Sequence, residues 1–255
     1  MEYPPAIVGV MIPRAIALLM LALLGSAPGV EFSTVEVAGK RITVCRVDVK
    51  KEKLQLFHRD AAGLPLKRFE RLASELELRG QKLVFAMNGG MYHGDFSAVG
   101  LSVAGGRQLT PLNTANDEGN FFLKPNGVFL VSDAGARVVE SSEYLRLKER
   151  VLLATQSGPL LLRNGRMHPA FREGSANRLF RNGVGVPSPD VALFAISEAP
   201  VNFHEFATMF RDVLKCPDAL FLDGTISSLH STKLNRSDFR MDLGPILGVT
   251  EPLAK

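Results

Sequence analysis

LSVAGGRQLT, residues Leu101–Thr110, is two short runs split by Gly105-Gly106. FFLKPNGVFLV (Phe121–Val131) repeats the arrangement around Pro125-Asn126-Gly127, and PLLLRNGRMHP (Pro159–Pro169) repeats it around Asn164-Gly165. Glycine and asparagine tolerate the positive φ that tight hairpins need, so each stretch reads as strand–turn–strand. The flanks supply more strands. RITVCRVDV (Arg41–Val49) and KLQLFH (Lys53–His58) alternate apolar and polar residues, as a half-buried strand does. KLVFAM (Lys82–Met87), VALFAIS (Val191–Ser197) and ALFL (Ala219–Leu222) are nearly continuous apolar runs, as expected of strands covered on both faces.

Two segments carry helical spacing instead. Pro65–Arg79 places Leu66, Phe69, Leu72, Ala73 and Leu76 along one side before Gly80, a residue that commonly ends helices. Asn202–Leu214 opens with Asn202 and Glu205 in capping-box spacing. It carries an apolar face of Phe203, Phe206, Ala207, Phe210, Val213 and Leu214, which reads as core packing. Strict strand–helix–strand alternation is missing, so a doubly wound fold is disfavoured. The expectation is an α+β fold: one domain over residues 30–255, with a mixed, mainly antiparallel sheet and two or three packed helices.

The chain has 255 residues, 46% apolar and 22% charged, with a net charge of +4. That composition can build a core without metals or disulfides and argues against disorder. Its Lys and Arg residues are scattered, without the clustered basic stripe of a nucleic-acid binder, so no nucleic-acid partner is expected. A mildly basic surface suits an anionic substrate. Residues 1–29 hold the apolar run AIALLMLALL (Ala15–Leu24), preceded by Arg14 and followed by small residues. The run is about half the roughly 20 residues of a spanning helix, so it reads as a signal peptide for a periplasmic or secreted protein. The alternative is an uncleaved anchor that keeps the chain at a membrane. In an oxidising compartment Cys45 and Cys216 are a disulfide candidate; the competing reading is two buried free thiols.

Four segments share one design, in which apolar residues meet polar residues and glycine. They are FAMNGGMYHGD (Phe85–Asp95), ATQSGP (Ala154–Pro159), FRNGVGV (Phe180–Val186) and FLDGTISS (Phe221–Ser228). Strand ends are held rigidly, and an adjacent glycine lets a ligand approach the backbone. NGGMY (Asn88–Tyr92), TQSGPLLLRNG (Thr155–Gly165), RNGVGV (Arg181–Val186) and LDGTISSL (Leu222–Leu229) resemble, in order, the signature blocks of the phosphodiester glycosidase family. GNFFLKPNGVF (Gly119–Phe129) and PDALFLDG (Pro217–Gly224) are similar to its bacterial exported branch. The resemblance implies hydrolysis of the bond between a sugar and a phosphodiester. One departure stands out: many members read Asp-Gly-Gly where this chain has Asp223-Gly224-Thr225, and a β-branched residue at positive φ would be strained.

That chemistry needs a carboxylate beside the anomeric carbon and a cationic or N–H-rich cradle for phosphate. Asp223, which ends an apolar run before Gly224, is the first choice for the carboxylate; the bland alternative is an Asp capping the turn that follows. Arg181 is the first choice for phosphate, because a guanidinium grips two oxygens at once, with Arg178 as its neighbour and substitute. Asn88, Gly89, Gln156, Ser157, Gly158, Gly224 and Ser228 are expected to line the pocket, although Asn-Gly and Asp-Gly are also plain turn signals. His93 and Asp95 form a candidate acid–base pair, against an exposed loop histidine. No H-E-x-x-H or EF-hand pattern exists, and no cofactor is expected; calcium on Asp223, Asp95 and loop carbonyls is the remaining metal option. The expected partner is a sugar phosphodiester or envelope polysaccharide. Two other classes compete: a non-catalytic glycan-binding protein of the same fold, and an amidase or protease using Ser157 or a cysteine. The first turns on whether Asp223 shares a cleft with a second ionisable group. The second requires a histidine within reach of its nucleophile.

Overall fold

A computed structural model describes residues 29–253. The N-terminal segment expected to direct export lies outside the described residues. No helix among the described residues is long and apolar enough to cross a membrane.

Three sheets replace the single mixed sheet expected, and the strand pairing within them is antiparallel throughout. The largest orders its strands Glu31–Val37, Lys40–Asp48, Val191–Ser197, Asn182–Ser188, Asp218–Asp223, Leu160–Arg163 and Arg166–Met167. A second runs Arg236–Ser237, Leu229–Ser231, Gln81–Asn88, Ile246–Pro252 and Lys53–Phe57. The third runs Arg107–Thr110, Ser102–Ala104, Val151–Ser157, Gly127–Ser132 and Gly135–Glu140. Their inner faces meet in one apolar cluster that includes Phe85, Met87, Leu247, Phe129, Leu153, Phe194, Leu220 and Leu222. These are the continuous apolar runs of the sequence, buried because another sheet covers them.

The outer face of the seven-stranded sheet is covered by the helix Phe203–Thr208 and the wider π-helical turn Met209–Val213 that continues it. Asn202 caps this helix: it accepts from the Glu205 amide at 2.8 Å, and Glu205 accepts from the Asn202 amide at 3.1 Å. Gly185 makes the fit possible, since a Cβ there would lie 2.6 Å from the Phe210 ring. Val213, expected on the apolar face, is exposed, because the π turn rotates the residues after it out of 3.6-residue phase. The other helix, Phe69–Glu77, buries Phe69, Leu72 and Leu76 against the second sheet.

Two of the three hairpins form as read: Arg107–Thr110 pairs with Ser102–Ala104, and Arg166–Met167 with Leu160–Arg163. The third does not. FFLK enters a 3-10 turn at Asn120–Phe122, where Asn126 donates to the Phe121 carbonyl at 2.8 Å and folds the segment back. Gly127–Ser132 pairs instead with Gly135–Glu140.

The disulfide is also corrected. Cys45 and Cys216 are free thiols. Cys45 packs into the cluster between the sheets, whereas Cys216 packs under the helix on the opposite face of the seven-stranded sheet.

Candidate active site

Antiparallel pairing brings the start of one strand beside the end of another. Asn182, the first residue of its strand, sits opposite Asp223, the last of the adjacent strand. Asn88, which ends a strand of the second sheet, closes the gap between sheets. Asn182 donates to the Asn88 side-chain oxygen at 3.0 Å and to its carbonyl at 3.1 Å. The Asn182 side-chain oxygen accepts from the Asp223 amide at 3.0 Å, and that of Asn88 accepts from the Ser228 amide at 3.0 Å. Both side chains are fully buried.

Most residues expected to touch substrate are fasteners of this kind. Ser157 donates to the Leu222 carbonyl at 2.7 Å, tying the third sheet to the strand that carries Asp223. Ser228 donates to the Ile226 carbonyl at 2.8 Å. Gly89 donates its amide to the Pro245 carbonyl at 2.7 Å and accepts from the Thr155 hydroxyl at 2.7 Å, so both its backbone groups are used. Gly158 is a close approach, where a Cβ would lie 2.5 Å from the Phe121 carbonyl. Gln156 accepts from the Leu101 and Asn113 amides at 3.0 and 2.8 Å and donates to the Asn113 carbonyl at 2.7 Å and the Ser141 hydroxyl at 3.1 Å. It thereby holds the loop after Asn113, which Lys124 also grips through Thr114 and Asn116.

The two arginines are engaged as well, although Arg181 leaves its Nη1 buried without a partner. Arg181 is fully buried, with its guanidinium carbon 3.6 Å from the centroid of Phe203. It donates to the Val201 carbonyl at 2.9 Å and the Asn177 carbonyl at 3.1 Å. Burial lowers its pKa to about 10. Arg178 forms a fork with both oxygens of Glu205, at 2.7 and 2.6 Å, at the head of the helix.

Asp223 alone of the strand-end polar residues opens onto space. It lines a cavity of about 540 Å³ with Tyr92, His93, Glu118, Thr225 and Met241, and with apolar wall from Met91, Phe121 and Ile226. Two larger hollows, of about 640 and 680 Å³, lie elsewhere on the surface, and Asp223 lines neither. A part of the carboxyl meets the cavity and protein surrounds the rest; this burial raises its pKa from 3.8 to about 6, opposed by the Gly224 amide, which donates to it at 2.5 Å. Tyr92 is raised too, by burial first and then by the charges of Asp223 and Asp242. Neither Gly224 nor Thr225 has positive φ, so the turn closed by the Ser227 amide on the Gly224 carbonyl at 3.0 Å accommodates Thr225 without strain.

His93 reaches the cavity on an exposed loop. Asp95 does not line it: its carboxylate accepts from the Ser97 amide and hydroxyl at 2.9 and 2.6 Å, which lower its pKa. The loop shape is fixed by Phe96, at φ 66°, stacked on Tyr92 with centroids 5.4 Å apart. Among the described residues no group of three or more His, Cys, Asp or Glu side chains is gathered as a metal site. Glu118 and Tyr92 are site residues that the sequence reading did not single out. Tyr92 lay inside a quoted block; Glu118 carried no signal, being an ordinary charged loop residue until Gln156 and Lys124 position its loop.

An antiparallel scaffold thus fixes at a strand end one carboxyl whose pKa burial raises, facing a cavity of about 540 Å³. The phosphodiester glycosidase family model matches residues 81–249, which include every side chain named on the cavity wall. The chain belongs to the phosphodiester glycosidase family. A relative, the uncharacterized protein YigE of Escherichia coli K12, is 34% identical over 184 residues, 72% of each chain. The zebrafish N-acetylglucosamine-1-phosphodiester α-N-acetylglucosaminidase catalytic domain, auto-inhibited by its pro-peptide, has the same fold, with TM-score 0.60 and 14% identity over 88% of this chain and 84% of that one. A hypothetical protein from Synechocystis is similar at TM-score 0.53 and 13% identity, over 87% of this chain and 62% of that one.

Proposed function

We propose that this chain hydrolyses the glycosidic bond of a sugar-1-phosphodiester in an extracellular or envelope glycan, after export directed by its N-terminal segment. The observation that carries the reading is Asp223: a carboxyl with pKa about 6, fixed at a strand end and facing a cavity that also holds His93 and Glu118. A protein that only binds glycan has no need of a carboxyl perturbed in this way beside other ionisable groups.

Above its pKa the Asp223 carboxylate acts on the anomeric carbon, as nucleophile or by drawing a proton from water. The C1–O bond breaks with its electron pair going to oxygen, and the phosphate monoester leaves. Water supplies the new hydroxyl on C1. A phosphate is a good leaving group, so the general acid of ordinary glycosidases is less needed. The apolar wall of Met91, Phe121 and Ile226 suits the hydrophobic face of a pyranose ring. The test is sugar release from a panel of sugar-1-phosphodiesters. Release by wild type that falls at least about a hundredfold in Asp223→Asn supports the reading; no release by the folded protein from any of them leaves glycan binding as the better account.

A further inference from the structure

We propose that Arg240, rather than Arg181, which is buried and does not line the Asp223 cavity, is the residue that grips the substrate phosphate. The inference rests on the sugar-1-phosphodiester substrate proposed above. Its starting point is the pairing of the cations on, or bonded to, the chain segments around Phe180 and the cavity-lining Met241. Lys67 and Arg68 each approach Asp242 to 3.3 Å and share its charge. Arg178 is forked to Glu205. Arg240 is exposed and, among the described residues, forms no ion pair.

Its position is nonetheless set. The guanidinium carbon lies 3.9 Å from the ring centroid of Phe180. Phe180 in turn is packed against the catalytic turn, since a Cβ on Gly224 would lie 3.3 Å from the Phe180 carbonyl. The next residue in the chain, Met241, lines the cavity with Asp223. Arg240 is thus tied through Phe180 to the turn that follows Asp223 and through the chain to Met241 on the cavity wall. Stacking engages the flat face of a guanidinium and leaves its N–H donors, which lie in the plane of the group, free to form a fork with two phosphate oxygens. When the C1–O bond breaks, negative charge grows on the departing phosphate. A donor pair aimed at it is stronger in the transition state than in the bound substrate, so Arg240 acts on kcat as well as KM.

The test separates binding from turnover. Inorganic phosphate and a sugar 1-phosphate are titrated by calorimetry into wild type, Arg240→Ala and Arg240→Lys at constant ionic strength. The expected result is at least about tenfold weaker binding in Arg240→Ala, with an intermediate value for Arg240→Lys, which keeps charge but loses the fork. Melting temperatures should stay alike, since Arg240 is exposed. In turnover, Arg240→Ala should lose far more kcat/KM on a sugar-1-phosphodiester than on an aryl glycoside of the same sugar, which has no phosphate. Phosphate binding by Arg240→Ala equal to wild type, no phosphate binding by wild type, or an equal loss on both substrates overturns the proposal. Arg240-dependent phosphate binding without any sugar release would keep this anion site and sink the hydrolase reading. Sugar release indifferent to Arg240 would do the reverse.

Discussion

Asn182 donates to the side-chain oxygen of Asn88 at 3.0 Å, and between them the two amides bind the backbone of Asp223 and Ser228. Two sheets are locked together by one buried side-chain pair directly behind the carboxylate. Asn182→Ala strands the Asp223 amide and half of the Asn88 side chain away from water. Unmet buried groups cost about 1–3 kcal/mol each, so the expected loss is about 2–5 kcal/mol of unfolding free energy. Urea unfolding of the variant checks this, and a loss below about 1 kcal/mol contradicts the fastener role.

Asp223 gives a pH dependence whose sign is fixed by its environment. Its folded-state pKa, about 6, lies above the ordinary 3.8. The neutral form is favoured in the fold, so its contribution to stability is complete below about pH 4 and is lost as pH rises through about 6. Asp223→Asn mimics the neutral form. Its stability should equal that of wild type at pH 4 and exceed it at pH 8, by on the order of 3 kcal/mol at most. Thermal melts at the two pH values give the comparison. Activity runs the other way: kcat/KM should climb through about pH 6 as the carboxylate ionises, and a flat acid limb would count against Asp223.

The two cysteines should be silent. Burial pushes Cys216 up to about 12 and Cys45 well above its ordinary value, so neither supplies thiolate at neutral pH. Native protein should leave Ellman's reagent uncoloured, urea-unfolded protein should react at both thiols, and reductant should not change the melting temperature. A melting temperature lowered by reductant would mean the thiols are paired.

Gly244 tests the placement of Tyr92. A Cβ at Gly244 would lie 2.5 Å from the Cβ of Tyr92, whose hydroxyl donates to the Asp242 carbonyl. Gly244→Ala must displace the tyrosine, which lines the cavity. The expected outcome is a KM raised about tenfold or more with the sheet signature in circular dichroism retained. An unchanged KM would show that the ring is not part of the sugar-binding wall.

The strands were legible because burial in a sheet leaves apolar runs, and the Asp223 strand was among the plainest. The helix cap at Asn202 was legible because its chemistry is local. Less could be read where distant residues decide the outcome. Asn88, Gln156 and Ser157 look like ligands in one dimension because a polar residue beside glycine at a strand end is also what a fastener between sheets requires. Arg181 looks free until Phe203, many residues away in sequence, comes to lie on it. FFLKPNGVF mimics a hairpin, and only the return bond from Asn126 to the Phe121 carbonyl gives it away. Glu118 left no trace, since an exposed charge acquires meaning only from the cavity it ends up lining.

The strand Ile246–Pro252 lies between Gln81–Asn88 and Lys53–Phe57. Asn88 therefore gains its outer neighbour, Ile246, only when this strand, far along the sequence, slots between two strands that come much earlier in it. A nascent chain still short of that segment has its aspartate but no floor beneath it. The floor beneath Asp223 thus waits on a strand far along the chain, and any activity measured reports that the whole sheet has closed.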